Sequence, residues 1–255
     1  MKMNQNIKLK KIYDKTFKKK NRVRETDEFK EVLKIDQWTG KTILDVGCGT
    51  GKLAYMIAKK GGKVKGIDYS TTAIETALSK YSHPNLSYEK VDVSKKISGK
   101  YDVIISIGTL EHMDQPYTML KKFKSHLKPR GKIILTSPNW ANPRGFILMT
   151  LWALFDAPIT LADLHYLTPV DFIKWAEQLE LKLNWKTIEH SWGGGDKLIA
   201  DLKQRLPKVF KDMKMNVKQQ KIDLFLKWIN QRVVPITQLS EEGGAIGIYV
   251  LSKRK

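Results

Sequence analysis

The nine residues Ile43-Leu44-Asp45-Val46-Gly47-Cys48-Gly49-Thr50-Gly51 (ILDVGCGTG) place three apolar residues and one acid directly before three alternating glycines. Glycine in an element interior costs about 0.5–1 kcal/mol relative to alanine. Three in five residues therefore mark a backbone that must turn tightly or meet another group closely. The following "KLAYMIAKKGG" has helical apolar spacing and is stopped by Gly61-Gly62. A strand ending in a glycine loop that opens a helix is a cradle for an anionic or polar ligand, because the helix N-terminus presents free N–H groups.

The same alternation continues outward. "KVKGIDYS" reads as a second strand, and Ser70 as the N-cap of the helix "TTAIETALSKY". "LSYEKVDVS" is a third strand, and "YDVIISIG" a fourth with the unbroken apolar run of a strand covered on both faces. The helix "DQPYTMLKKFKSHL" is expected to end at Pro129-Arg130-Gly131, before a fifth strand "KIILTSPN". Strands alternating with helices imply a parallel sheet with right-handed crossovers. Further on, "TPVDFIKWAEQLE" reads as a helix capped by Thr168 with Pro169 first, and "LKLNWKTIEHSW" as a strand. Residues 196–234 read as basic amphipathic helices broken at Pro207, and "GAIGIYVLSKR" as the final strand. Residues 8–36 read as one or two helices.

In open parallel sheets, ligands bind beyond the carboxyl ends of the strands. The polar candidates fall at four such ends: Gly47, Gly49 and Gly51 after the first strand, Asp68 after the second, Asp92 after the third, and residues 106–112 after the fourth. The glycine spacing is GxGxG with Lys52 where a dinucleotide fingerprint has its third glycine, and no phosphate-loop GK[ST] follows. Asp68, 21 residues beyond Gly47, can accept both hydroxyls of a ribose, and Asp92 can accept from an exocyclic amine such as that of adenine.

"ILDVGCGTG", "VKGIDYS", "YEKVDVS", "YDVIISIGTLEHM" and "LKPRGKIILTSPN" closely resemble the successive motifs of class I S-adenosylmethionine-dependent methyltransferases, over about residues 40–140. The resemblance implies a Rossmann-like α/β fold. Its seven-stranded, mostly parallel sheet has an antiparallel last strand, helices on both faces and helical cap insertions. It implies an N-terminal helical extension over 1–38 and a methyltransferase domain over 39–255, with an apolar lid at about 140–168 and a helical insertion at about 194–240. It implies S-adenosyl-L-methionine as cofactor. Asp45, Gly47, Cys48, Gly49 and Gly51 would hold the methionine part, Asp68 and Tyr69 the ribose, Asp92 and Val93 the adenine. Ile107 would line the methionine side, and an N-terminal aromatic, Tyr13, would close over the cofactor. Among such enzymes the "LEH" and "SPN" patterns look most like the ubiquinone-biosynthesis O-methyltransferase group. That group commonly carries a further glutamate three positions before its "EH", where it can help hold a divalent metal. This chain has Gly108 there, so no metal is expected.

The acceptor is less legible. His112 beside the expected cofactor methyl is the first candidate for a base, and His165 in "DLHYLTP" the second; each also reads as a packed or capping histidine. "SIGT" after the fourth strand is not the [DNS]PP[YFW] signature of the enzymes that methylate base amines of DNA. "GFILMTLWALFDAPITL" carries one charge, and reads as a lid over an apolar acceptor, an interfacial helix or an ordinary buried helix. The expected acceptor is a small, partly apolar molecule methylated on oxygen, in an enclosed pocket built from residues 139–166.

The charge supports a second reading. There are 46 Lys+Arg against 26 Asp+Glu, a net of +20, and residues 8–24 hold nine basic residues against Asp14 alone. Such a field attracts anions, so an RNA or protein methyltransferase with an open basic groove is the alternative. The lysines lack the interleaved aromatics that single-strand binders use. A cofactor-binding module without activity is a third reading. One cysteine excludes an internal disulfide framework, and the absence of an apolar leader or a bilayer-length apolar run points to the cytoplasm. Peripheral membrane contact and oligomeric state are left open.

Overall fold

The structure is a computed structural model that describes residues 27–157, 164–237 and 239–253. Tyr13, the basic run 8–24 and the end of the apolar lid segment at 158–163 lie outside the described residues. Seven strands form one sheet: β1 (Thr42–Val46), β2 (Lys63–Asp68), β3 (Leu86–Lys90), β4 (Tyr101–Ile107), β5 (Leu127–Pro138), β6 (Leu181–Ile188) and β7 (Ile246–Lys253). Their order is β3-β2-β1-β4-β5-β7-β6, mostly parallel with β7 antiparallel.

β1 sits in the middle because it can be buried on both faces. Ile43, Leu44 and Val46 are at most 1% exposed, and Ile43 pairs with Val64 of β2 and Val103 of β4. The helices of the first half are α1 (Asp27–Leu33), α2 (Lys52–Lys59), α3 (Thr71–Lys80) and α4 (Pro116–Ser125). α2 buries Leu53, Ala54, Ile57 and Ala58, the i, i+1, i+4, i+5 stripe of an amphipathic helix. These join Ile43, Val103, Ile105 and Ile134 in one core. Trp38 is buried in the same core and donates through Nε1 to the Leu33 carbonyl at the end of α1 (3.0 Å).

Two local expectations change. Pro129-Arg130-Gly131 does not end a helix. α4 stops at Ser125, and Leu127 already pairs with Tyr101. The Pro-Arg-Gly run is an irregularity inside β5 with Arg130 at φ 60°, a bulge that absorbs extra residues between two paired positions. Pro207 does not break a helix either, and α8 (Asp196–Asp212) runs through it. An interior proline costs about 3 kcal/mol. Against it stands a continuous buried stripe, Leu198, Leu202, Leu206 and Val209, each worth about 1.5–3 kcal/mol. The interruption falls after Asp212, where Lys214 takes φ 55°.

The chain divides into two compact units. One comprises residues up to 136, 174–184 and 249 onward; the other comprises 137–173 and 185–248. The second unit contains α5 (Pro143–Phe155), α7 (His190–Gly194), α8, α9 (Gln219–Trp228) and α10 (Val234–Thr237). α6 (Pro169–Gln178) starts at the expected cap, where Asp171 accepts from Thr168 N and Oγ1 (2.7 and 2.9 Å). The second unit has its own core, in which Trp140, Leu148 and Leu151 meet the buried stripe of α8 and Ile222, Leu226 and Ile229. Asn142 caps α5 by accepting from Gly145 N (2.9 Å) and donates to the carbonyls of Asn139 and Gly244. "SPNWANP" is thus a helix start as well as a strand end. No helix among the described residues is long and apolar enough to cross a membrane.

Phe123 of α4 is fully buried, so Phe123→Ala is expected to cost about 3–5 kcal/mol. Urea denaturation should show a lower midpoint with an unchanged slope; an unchanged midpoint would contradict the packing described.

Candidate functional site

The carboxyl ends of β1 to β4 and the start of α4 enclose a cavity of about 510 Å³, within the range that holds a cofactor-sized ligand. Among the described residues, those that line it all lie between 46 and 122. Of the expected site residues, Gly47, Gly49, Asp68, Tyr69, Asp92, Val93, Ile107 and His112 line it. Asp45, Cys48 and Gly51 are not among its lining residues, and neither is any described residue of 139–166, where an acceptor wall was expected. His165 is partly buried and belongs to the second unit.

The glycine loop is shaped by its neighbours. Gly47 N and Cys48 N both donate to the Ile67 carbonyl (2.8 and 3.0 Å), which fixes the turn against β2. Gly47 has φ 72°, and a Cβ there would lie 2.6 Å from Thr109 Cγ2. Gly51 has φ 84°, and a Cβ would lie 2.6 Å from Cζ of Tyr88, whose hydroxyl donates to the Gly51 carbonyl (2.8 Å). Gly51 therefore serves the protein's own packing, and the loop's approach to the cavity is made by Gly47 and Gly49. Cys48 fits between: its Sγ would be 3.0 Å from a Cβ on Gly66. Burial, then the charges of Asp45 and Asp68, push its thiol well above the usual range. It is a filler and not a nucleophile.

Two acids sit behind this loop. Asp68, 8% exposed, accepts from Gly49 N (3.0 Å) and Ser70 N (2.8 Å). Asp45 is 2% exposed, and its Oδ2 has no hydrogen-bond partner. Burial, and then the charge of Asp68, raise its carboxyl to about 7. A buried polar atom without a partner is costly; here the shortfall is of a donor, and a positive one would relieve both acids.

The other rims are equally defined. Asp92 Oδ1 accepts from Ser94 N (3.0 Å) and Ser94 Oγ (2.5 Å). Lys122 donates to the carbonyls of Val93 (2.8 Å) and Ser94 (3.0 Å). After β4, Gly108 N donates to Thr136 O and Oγ1 (3.1 and 3.0 Å), and Thr136 Oγ1 donates to Glu28 of α1. The turn Leu110–His112 then brings His112 to the cavity, with its Nε2 3.9 Å from Oε1 of the buried Glu111. Among the described residues, no group of three or more His, Cys, Asp or Glu could hold a metal ion.

Sequence reasoning placed residues 106–112, Thr109 among them, at the mouth, but did not single out Gln115, Thr118, Met119 and Lys122, which also line the cavity. The last four carried a signal. They follow the spacing i, i+3, i+4, i+7, one face at the start of a helix that begins at the mouth.

A family model described as a methyltransferase domain matches residues 15–184. The ubiquinone biosynthesis O-methyltransferase of Coxiella burnetii is 29% identical over 152 residues, 56% of this chain and 64% of that protein. The Paraburkholderia xenovorans protein of that name is 30% identical over 153 residues, covering 56% and 66%. The chain thus spans just under two thirds of these relatives' length. Among solved structures, magnesium protoporphyrin IX methyltransferase from Synechocystis superposes with TM-score 0.57 at 16% identity, over 100% of this chain and 90% of that one. A phosphoethanolamine N-methyltransferase from Haemonchus contortus gives TM-score 0.57 at 16% identity, over 90% and 53%. At such identities the structures speak for the fold alone.

Asp45 supplies a pH test. Its folded carboxyl, raised from 3.8 to about 7, holds a proton that the unfolded chain has lost, so it removes stability as pH rises from about 4 to 7. Asp45→Asn removes that slope. The melting temperature of the variant relative to wild type should climb between pH 5 and pH 8; a constant difference would contradict the buried, donor-poor carboxyl.

Proposed function

The chain belongs to the methyltransferase-domain family, as a class I S-adenosylmethionine-dependent member, and from that premise we propose that it transfers a methyl group to an oxygen of a small, partly apolar acceptor. The observation that carries this reading is the joining of Asp68 and the glycine loop to His112 and the apolar side chains of Ile107, Met113 and Met119 in one cavity, with Asp45 buried behind the loop.

The residues present fit the cofactor. Asp45 Oδ2, buried with no hydrogen-bond partner, suits the ammonium of the cofactor's amino-acid part, and the glycine loop brings Gly47 and Gly49 to the cavity wall. Asp68, held by two backbone N–H groups and lining the cavity, would accept from the ribose hydroxyls. Asp92 and Val93 would face the base. When bound, the cofactor supplies a sulfonium-activated methyl group, so the protein's task is to align the acceptor and exclude water. Ile107, Met113 and Met119 provide the apolar wall. A hydroxyl nucleophile needs its proton removed, and His112 is the group at the cavity able to take it. The carboxylate of Glu111 beside it would favour the imidazolium that results. His165 is the second candidate. The acceptor chemistry follows the names of the ubiquinone-biosynthesis relatives only as far as O-methylation, because Gly108 removes the glutamate which that group commonly carries. The cytoplasm is the proposed setting, supported by the single, half-buried cysteine Cys48.

Calorimetric titration with S-adenosylhomocysteine tests the cofactor half. Binding should tighten from pH 6 to pH 8 as Asp45 loses its proton, and Asp68→Ala should weaken it by about 10- to 100-fold, the loss of one or two charge-assisted hydrogen bonds. Unchanged affinity in that variant would sink the ribose assignment. For the acceptor half, a panel of phenols and catechols assayed with labelled cofactor should reveal turnover. His112→Ala should cut kcat by about 10²- to 10⁴-fold with cofactor affinity preserved; full activity would remove the proposed base.

A further inference from the structure

The segment after β3 is the part of the cavity wall with least sheet support. Val91 N still donates to the Asp68 carbonyl (2.9 Å), but beyond it the chain leaves the edge strand. Two devices hold it. The first is local: Asp92 Oδ1 accepts from both Ser94 N and Ser94 Oγ, an Asx turn. The second comes from another element. Lys122 Nζ, on α4, donates to the carbonyls of Val93 and Ser94 at 2.8 and 3.0 Å. These are the next two carbonyls after the Asx residue, and in an irregular segment they have no ladder to enter.

A lysine side chain is normally left to solvent because fixing it costs rotamer entropy. Lys122 is instead half-buried and lines the cavity two turns along the face that begins at Gln115. Its ammonium has three donors, and two of them bond this one loop. Charge-assisted hydrogen bonds are about twice as strong as neutral ones, so the pair outweighs the ordering cost. The other oxygen of Asp92, Oδ2, faces Lys95 at 3.9 Å. The Ser94 turn occupies only Oδ1, so Oδ2 is directed by the turn rather than consumed by it.

We propose that Lys122 is a positioning residue for base recognition. By tying the carbonyls of Val93 and Ser94 to α4, it presets the loop through which Asp92 and Val93 read the adenine of the cofactor. This inference rests on the cofactor lying in this cavity as proposed above. It gives one lysine of a very basic chain a task unrelated to the net charge, and it makes cofactor selectivity depend on a side chain of α4 as well as on the loop after β3.

The test is binding of two ligands to the full chain: S-adenosylhomocysteine, and S-inosylhomocysteine, in which a carbonyl replaces the exocyclic amine. Wild type should bind the first and prefer it over the second. Lys122→Met should weaken the adenine ligand by about tenfold, the loss of a charge-assisted contact, with little change for the inosine ligand, so that discrimination collapses. Lys122→Arg, which keeps two N–H donors, should restore it. A loss merely of folding would lower the melting temperature and weaken both ligands together; that result, or unchanged affinity and discrimination in Lys122→Met, overturns the proposal. If Lys122→Met is too unstable to assay, Lys122→Gln, with a shorter reach, should show the same loss of discrimination; wild-type discrimination there would overturn it. Failure of the wild-type chain to bind S-adenosylhomocysteine overturns the cofactor reading itself, and the inference with it.

Discussion

The carboxylate of Asp68 is the joint on which the site is hung. One of its oxygens holds Gly49 N and the other Ser70 N. The first bond fixes the glycine loop at the end of β1 against the end of β2. The second fixes the start of α3, where Ser70, fully buried, accepts from Ala73 N (3.2 Å) and caps the helix. Two strand ends and a helix start are thereby held in one geometry by a single side chain. Its charge has a further effect: with burial, it keeps a proton on Asp45. The cavity is built around two acids that oppose each other and would both gain from a cation.

That arrangement explains why so much of the loop answers to the protein rather than to a ligand. Tyr88 occupies the space over Gly51, Thr109 the space over Gly47, and Cys48 packs at Gly66. A rigid, pre-shaped loop loses little order on binding, so the interaction energy goes into affinity. The third and fourth rims follow the same rule, each held by side-chain bonds to backbone: Lys122 and Asp92 at one, and at the other Thr136, whose hydroxyl accepts from Gly108 N and donates to Glu28.

Much of this was legible in the sequence because it was written in short-range terms. The parallel sheet follows from strands alternating with helices, and the ends of β1, β2, β3 and β4 each carry the residue that their position at the mouth demands. Asp68, Asp92 and His112 were found by counting from strand ends. What was not legible depends on packing between distant segments. Gly51 reads as a ligand contact until Tyr88, 37 residues away, is seen against it. Pro207 reads as a break until the stripe of α8 is seen to be buried. Pro129-Arg130-Gly131 reads as a helix stop because a bulge inside a strand has no local signature distinct from a turn. Lys122 was one lysine among many, and only its two carbonyl partners separate it from the rest. The second unit was the least legible part, since its core is assembled from residues 140–234 without a repeating pattern to announce it.

The claim at the centre is that the two buried acids and the glycine loop hold one cationic nucleoside-type cofactor. A crystal structure of the chain with S-adenosylhomocysteine bound tests it most directly. The ribose hydroxyls should lie within hydrogen-bond distance of Asp68 and the ammonium should be turned toward Asp45, with the base beside Asp92 and Val93. A ligand bound elsewhere, or one in this cavity with its ribose turned away from Asp68, would contradict it.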